Sequence, residues 1–240
     1  MFTFPKNVVA AMSTVADGTM RLPLDGGEDR AGAAENRRTF LSKFGFTPGQ
    51  MASARLRHRA VVEVVGKNDG GKIFSDADGL VTNVPNMVLS VTGADCPPLL
   101  YYDPKHRAIG IAHSGWRGFV QQIPVAVVQK ITEAFGTKPA DLIVSIGPAI
   151  CRRHFEVHND VADQFQAYPP AIVHSNETIT IDLGVVGLMQ LMAAGVPRDH
   201  IEIDHTCTFE DANYFSYRRD KPGELQDLEA MMAIIALHNN

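Results

Sequence analysis

Between Ala60 and Ala112 the chain passes through four short apolar stretches, each cut off by turn-forming residues. They are Ala60-Val-Val-Glu-Val-Val, Met87-Val-Leu-Ser-Val-Thr, Pro98-Leu-Leu-Tyr-Tyr and Ala108-Ile-Gly-Ile-Ala, with Gly, Asp, Asn and Pro between them. Stretches this short and this rich in β-branched and aromatic residues fit strands rather than helices. Asp103-Pro104-Lys105-His106 supplies a turn that predicts a hairpin between the last two. Residues 142–146, 178–182 and 201–204 have the same β texture.

Helical spacing alternates with these strands. Apolar residues recur at helical intervals over 36–44 and most clearly over 119–135, where Val120, Ile123, Val127, Val128, Ile131 and Phe135 share a face. Pro124 is expected to kink that helix. A helix over 159–165 is expected to start on Asn159 as its cap, and one over 183–194 to close at Gly195. Residues 16–34, rich in Gly, Asp and Ala, fit a loop. With no repeat, linker or break in composition, the pattern predicts one mixed α/β domain over residues 1–240, with helices and mixed β-sheets in layers.

The 240 residues carry a formal charge of −5 without long runs of one sign, so no basic footprint for nucleic acid or an anionic membrane is present. No apolar run approaches the roughly 20 residues of a transmembrane helix. The beginning, Met1-Phe-Thr-Phe-Pro-Lys-Asn, lacks the basic and apolar regions of a secretory leader. Cys96, Cys151 and Cys207 are odd in number and widely spaced, which is not a disulfide framework. A cytoplasmic, monomeric protein is the expectation, and Cys151 and Cys207 are expected to be replaceable without loss of metal.

Two segments carry chemistry. In Gly93-Ala-Asp-Cys-Pro-Pro, Cys96 is expected to end a strand, since the two prolines remove ladder donors at once. In Ala112-His-Ser-Gly-Trp-Arg-Gly, His113 ends a strand and glycines flank Trp116 and Arg117. A hairpin joining them brings Cys96 and His113 together at one sheet end. A thiolate and a neutral imidazole suit zinc or copper, and a third ligand would complete a site with one open position.

Four motifs occur in order: Ala94-Asp-Cys-Pro-Pro, Ala112-His-Ser-Gly-Trp-Arg-Gly, Ile146-Gly-Pro-Ala-Ile with Phe155-Glu-Val, and Cys207-Thr with Tyr214-Phe-Ser-Tyr-Arg-Arg-Asp. Together they resemble the laccase-domain family, known both as multicopper polyphenol oxidoreductase and as purine nucleoside phosphorylase. The resemblance implies a layered sandwich of the laccase-domain or cytotoxic necrotizing factor-like type, with a metal held by His, Cys and His. Cys96 and His113 match two of these ligands. His58, in Leu56-Arg-His-Arg, matches the third, although Leu56, Arg57 and Arg59 replace the Gln, Val and Gly usual around it. The usual Thr-Gly-Arg-Gln after the last motif becomes Pro222-Gly-Glu-Leu-Gln, with Glu224 in place of Arg, and Leu22-Pro-Leu-Asp-Gly-Gly stands where a Ser-Leu-Asn-Leu-like segment is usual.

The resemblance further implies zinc-dependent phosphorolysis of purine nucleosides (adenosine, inosine, guanosine, methylthioadenosine), with adenosine deamination as a second activity. The ligands His58, Cys96 and His113 would be the catalytic residues. Arg117 would bind phosphate, or else pair with a framework carboxylate. Trp116 would stack on the base, or else seal the core. Tyr217, Arg218 and Arg219 would lie near the pocket, and Asp95 and Asp211 would orient the ligating histidines. Copper-dependent polyphenol oxidation is the second reading, against which stand nine histidines and no His-X-His pair. A metal-free Cys–His hydrolase and a homologue without activity are the others.

Overall fold

The computed structural model describes residues 4–23, 27, 29–176, 178–221, 223 and 227–238. In chain order the strands begin with β1 (Val8–Met12), β2 (Met51–Ala54), β3 (Val62–Val64), β4 (Ile73–Phe74), β5 (Gly79–Thr82), β6 (Val88–Gly93) and β7 (Pro98–Asp103). They continue with β8 (Ala108–His113), β9 (Ile143–Ile146), β10 (Glu156–Val157), β11 (Ile172–Ser175), β12 (Thr178–Ile181), β13 (Ile201–Ile203) and β14 (Met231–Leu237). The α-helices are α1 (Ala33–Ser42), α2 (Trp116–Val120), α3 (Ile123–Phe135), α4 (Asn159–Ala162), α5 (Leu183–Ala193) and α6 (Tyr217–Asp220).

Two mixed sheets form the middle layers, one ordered β1-β14-β6-β2-β4 and the other β13-β9-β7-β8-β5-β3. Side chains alternate along their strands with period two. In β7, Leu100 and Tyr102 face the other sheet, where they meet Leu89, Val91 and Ile235. Leu99 and Tyr101 face the opposite way, into a core with Phe119 and Val127 of α2 and α3 and Val186 of α5. In β14, Met232, Ile234 and Ala236 pack under Phe40 and Leu41 of α1, and Ala233, Ile235 and Leu237 join the core between the sheets. The result is a helix–sheet–sheet–helix sandwich, as the pattern of elements predicts. Strands covered on both faces have no polar side, which is why they appear in the sequence as unbroken apolar runs. The small sheet β10-β12-β11 stands beside the core.

Three expectations change. The helix over 119–135 is two helices: α2 starts at Trp116, and Gln122, at φ 59°, breaks the chain before α3. Pro124 sits in the first turn of α3 and causes no kink, because its missing N–H falls where helix donors are unpaired anyway. Asn159 is the first helical residue of the short α4, and His158 takes the cap position. The hairpin turn holds as expected, with the Asp103 carboxylate accepting from the N–H groups of Lys105 and His106 at 2.8 and 3.2 Å.

Gln122 is exposed and left-handed, a conformation that costs a non-glycine residue roughly 1–2 kcal/mol. Gln122→Gly should therefore keep stability or raise it by up to about 1 kcal/mol, whereas Gln122→Val should lower it by about 1 kcal/mol or more. Urea unfolding of the two variants checks the order.

Candidate functional site

The chain crosses from one central sheet to the other between Gly93, the end of β6, and Pro98, the start of β7. Cys96 lies in that crossing and does not end a strand as expected. It still meets His113, because Pro98 pairs with His113 in the β7–β8 ladder and the Ser114 N–H donates to the Pro97 carbonyl at 3.1 Å. The crossing is held by Asp95, which is buried and left-handed at φ 78°. Its carboxylate accepts from the Thr208 hydroxyl at 2.7 Å, the Ser216 hydroxyl at 3.1 Å and the Arg218 N–H at 2.7 Å. The Asp95 carbonyl accepts from the Ile150 N–H at 2.9 Å. Asp95 thus binds three loops together and bonds neither His58 nor His113, contrary to the role expected for it. Asp211 likewise has another task, accepting from the backbone and side chain of Asn213.

His58 arrives on the loop that follows β2. Asp78, fully buried just ahead of β5, accepts the backbone N–H groups of Arg57, His58 and Arg59 at 2.9, 2.7 and 2.8 Å. These bonds hold His58 left-handed at φ 56°, which an isolated His rarely adopts. Asp78 escaped the sequence reading, and its only signal there is an Asp-Gly step before a strand.

The three predicted ligands converge on Gly115. A Cβ on that residue would lie 3.0 Å from Cys96 Sγ, 3.1 Å from His58 Cδ2 and 3.4 Å from His113 Cε1. The two imidazole rings stand 5.0 Å apart at 86°. The Nδ1 atom of His113 is buried and has no hydrogen-bond partner among the described residues. A soft thiol, two imidazoles and an orphaned ring nitrogen, packed so closely round Gly115 that a side chain there would crowd them, suit a transition-metal ion. Burial pulls the His113 imidazole down to about 3, with His58 adding to the effect. The His58 ring, although its loop is exposed, is crowded enough to lower its pKa, with Asp78 opposing and Arg117 assisting. Both rings are therefore neutral, as ligands must be. Burial, and then Asp95, push the Cys96 thiol up to about 12. With the thiol protonated and the imidazole neutral, the pair is not poised as a thiolate–imidazolium couple, whereas metal binding would deprotonate the thiol.

A cleft of about 400 Å³ opens over these side chains, within the range of roughly 300–1,000 Å³ usual for small-molecule sites. Trp116, Arg117, Phe155, Tyr217 and Arg218 are among its walls. A hollow of about 530 Å³ beside Pro104, Asp141 and His200 lies at the opposite strand ends, away from this chemistry. Arg117 is exposed and stacks 4.1 Å from the centre of the Trp116 ring. It lies within α2 rather than ahead of a helix, and among the described residues no carboxylate forms an ion pair with it. Trp116 both packs against the core and lines the cleft. Arg218 donates to the carbonyls of His154 and Glu156 at 2.9 and 3.1 Å, so its guanidinium is committed to the wall. Arg219 bonds the carbonyls of Thr208, Phe209 and Tyr214 and is a buckle for that loop rather than a cleft residue. Glu224, Leu24, Asp25 and Gly26 lie outside the described residues.

Sequence reasoning missed a second group. Among the described residues, the three or more His, Cys, Asp or Glu side chains whose ligand atoms all fall within 4.8 Å of one another are Cys151, His154, Cys207 and Glu210. His58, Cys96 and His113 are more widely spread than this. Cys151 and Cys207, expected to be dispensable, belong to a cluster able to hold a metal.

A sequence profile of the family described as multi-copper polyphenol oxidoreductase laccase matches residues 10–237. A Bacillus subtilis protein named purine nucleoside phosphorylase YlmD is 30% identical over 236 residues, spanning 90% of this chain and 85% of the relative. A Deinococcus radiodurans protein named purine nucleoside phosphorylase is 34% identical over 198 residues, spanning 82% of this chain and 75% of the relative. The crystal structure of YlmD from Geobacillus stearothermophilus superposes with a TM-score of 0.88 at 28% identity, over 98% of this chain and 93% of that one. Bacillus licheniformis YfiH, a protein described as hypothetical, also gives a TM-score of 0.88, at 27% identity, over 96% and 92% of the two chains.

Gly115→Ala tests the convergence of the three ligands. The new methyl group should hold Cys96 and His58 apart and weaken zinc binding there about tenfold or more, equivalent to about 1.4 kcal/mol. Circular dichroism and melting temperature should change little. Zinc titration of the Cys151→Ala/Cys207→Ala background, with and without Gly115→Ala, measures the difference.

Proposed function

The chain belongs to the multi-copper polyphenol oxidoreductase laccase family, and from that premise we propose that it is a zinc-dependent purine nucleoside phosphorylase with adenosine deamination as a second activity. The observation that carries the reading is the convergence of Cys96, His58 and His113 at the floor of a cleft whose wall presents Arg117, which has no carboxylate partner among the described residues. The names of the relatives point to nucleoside and phosphate as substrates. His58, Cys96 and His113 would hold the ion, which supplies Lewis-acid chemistry when bound.

The chain's own groups account for the rest. Phosphorolysis joins a phosphate oxygen to the ribose C1′ as the bond to the purine nitrogen breaks. The Arg117 fork, exposed at the mouth of the cleft and stacked on Trp116, suits two phosphate oxygens at once. Trp116 and Tyr217 provide aromatic surface for the purine, and Tyr217, 52% exposed, has room to move over it. Arg218, fixed by Asp95 and two carbonyls, shapes the wall beside them. Adenosine, inosine, guanosine and methylthioadenosine share the purine and ribose contacts this needs. Deamination replaces phosphate by water, whose oxygen adds at C6 as ammonia leaves. Three free cysteines fit a reducing, cytoplasmic setting, and the chain is proposed to act as a monomer. Copper-dependent phenol oxidation, which the family description evokes, ranks second, because nine histidines without a His-X-His pair do not build several copper centres.

Adenosine with phosphate should yield adenine and ribose 1-phosphate, and adenosine alone should slowly yield inosine. If neither product forms while copper-loaded protein turns over phenols, the order of the two readings reverses. Arg117→Lys should raise the phosphate KM about tenfold, because it keeps the charge and loses the fork, and should leave deamination, zinc content and melting temperature nearly unchanged. Equal loss of both activities would refute the phosphate role.

A further inference from the structure

Two tight turns meet behind the cleft wall and repeat one pattern. Cys151-Arg-Arg-His154 folds so that the N–H groups of His154 and Phe155 donate to the Cys151 carbonyl at 3.0 and 3.1 Å. Cys207-Thr-Phe-Glu210 folds the same way, with the N–H groups of Glu210 and Asp211 donating to the Cys207 carbonyl at 3.1 and 2.9 Å. Each turn offers a thiol at its first position and a second donor three residues later. The turns are joined by a bridge between Ala149 and Cys207, and the Cys151 N–H donates to Cys207 Sγ at 3.2 Å. Three side chains aim at one oxygen: Glu210 Oε1 lies 3.9 Å from Cys151 Sγ, 2.9 Å from His154 Nε2 and 2.6 Å from Arg153.

We propose that Cys151, His154, Cys207 and Glu210 form a second metal site, taking zinc or a similar thiolate-seeking divalent ion in a closed shell of four protein donors. Paired Cys-x-x-donor turns are the spacing that closes a tetrahedral structural site. Binding releases the two thiol protons to solvent, and the N–H of Cys151 stabilises the sulfur charge that results at Cys207. His154 is already oriented, its ring stacked on Phe209 at 4.1 Å and 22°. Arg153 lies beside the carboxylate and offsets the net negative charge of two thiolates and a carboxylate on a divalent ion. Its exposed ion pair with Glu210 is easily rearranged. Glu210 is exposed and Cys207 buried, so an ion would enter from the surface and seat against the interior.

The site has a structural consequence. One turn leads to Phe155 and the other to Tyr217, both in the cleft wall. Thr208, within the second turn, bonds Asp95 beside Cys96. An ion here would fix the two halves of that wall to each other without touching substrate.

The test uses the full chain carrying Cys96→Ser, in which Cys151 and Cys207 are the remaining thiols. Metal-free protein titrated with cobalt should take up one equivalent with the visible bands of tetrahedral Co²⁺ and a thiolate charge-transfer band, and zinc should displace it. Adding Cys151→Ala and Cys207→Ala should abolish both features. In the otherwise unaltered chain, Glu210→Gln should weaken binding at this site at least tenfold, with both thiols still reactive. Cobalt bands that are absent from the Cys96→Ser chain while it is folded by circular dichroism would overturn the proposal. So would bands that survive loss of Cys151 and Cys207, or an intact mass lower by two hydrogens, which indicates a disulfide. None of these readings depends on turnover of a nucleoside, so the proposal and the catalytic reading fail separately.

Discussion

Pro98 faces His113 across the open end of the β7–β8 hairpin, and a slip of one residue there would turn His113 away from Cys96. The register is held from both sides. Leu100 and Tyr102 are committed to the core between the sheets, Leu99 and Tyr101 to the core under the helices, and either set would be misplaced by a shift. The Asp103 carboxylate closes the far end by capping the turn. Burying the strand on both faces therefore does more than stabilise it, since it also sets which side chains emerge where the ladder stops.

Two buried carboxylates extend this order into irregular backbone. Asp78 gathers three consecutive N–H groups and so presents His58. Asp95 receives donors from Thr208, Ser216 and Arg218, joining the Cys96 crossing to segments more than a hundred residues away. A buried carboxylate is costly unless its lone pairs are matched, and here the matching donors belong to the loops that need holding. Glycine at 115 serves the same end by omission, since a Cβ there would crowd Cys96, His58 and His113 together. Loops tied down in this way suit a site whose ligands must be held in place before an ion or substrate arrives.

Much of this arrangement is legible in the amino-acid order. The apolar runs from β6 to β8 announce strands, and the turn residues at 103–106 announce their hairpin, so the meeting of Cys96 and His113 follows from local signals. The strand β14 is not announced: Met231–Leu237 is apolar throughout, and such a run has no period that separates a strand from a helix. The break at Gln122 is equally silent, because its left-handed backbone falls on a non-glycine residue that carries no turn signal. Asp78 and the Cys151–Cys207 group are matters of long-range contact. Cys151 and Cys207 stand 56 positions apart and become neighbours only once β9 and β13 pair in parallel and deliver their following loops to the same edge.

The central claim is that His58, Cys96 and His113 hold one metal ion beneath the cleft. Anomalous scattering at the zinc edge, from crystals of protein purified without added metal or chelator, tests it most directly. The account predicts a peak between Cys96 Sγ and the two imidazole rings, with distances of about 2.3 Å to sulfur and about 2.0 Å to nitrogen. Ordered His58, Cys96 and His113 with no peak among them, even after soaking in zinc, would contradict it.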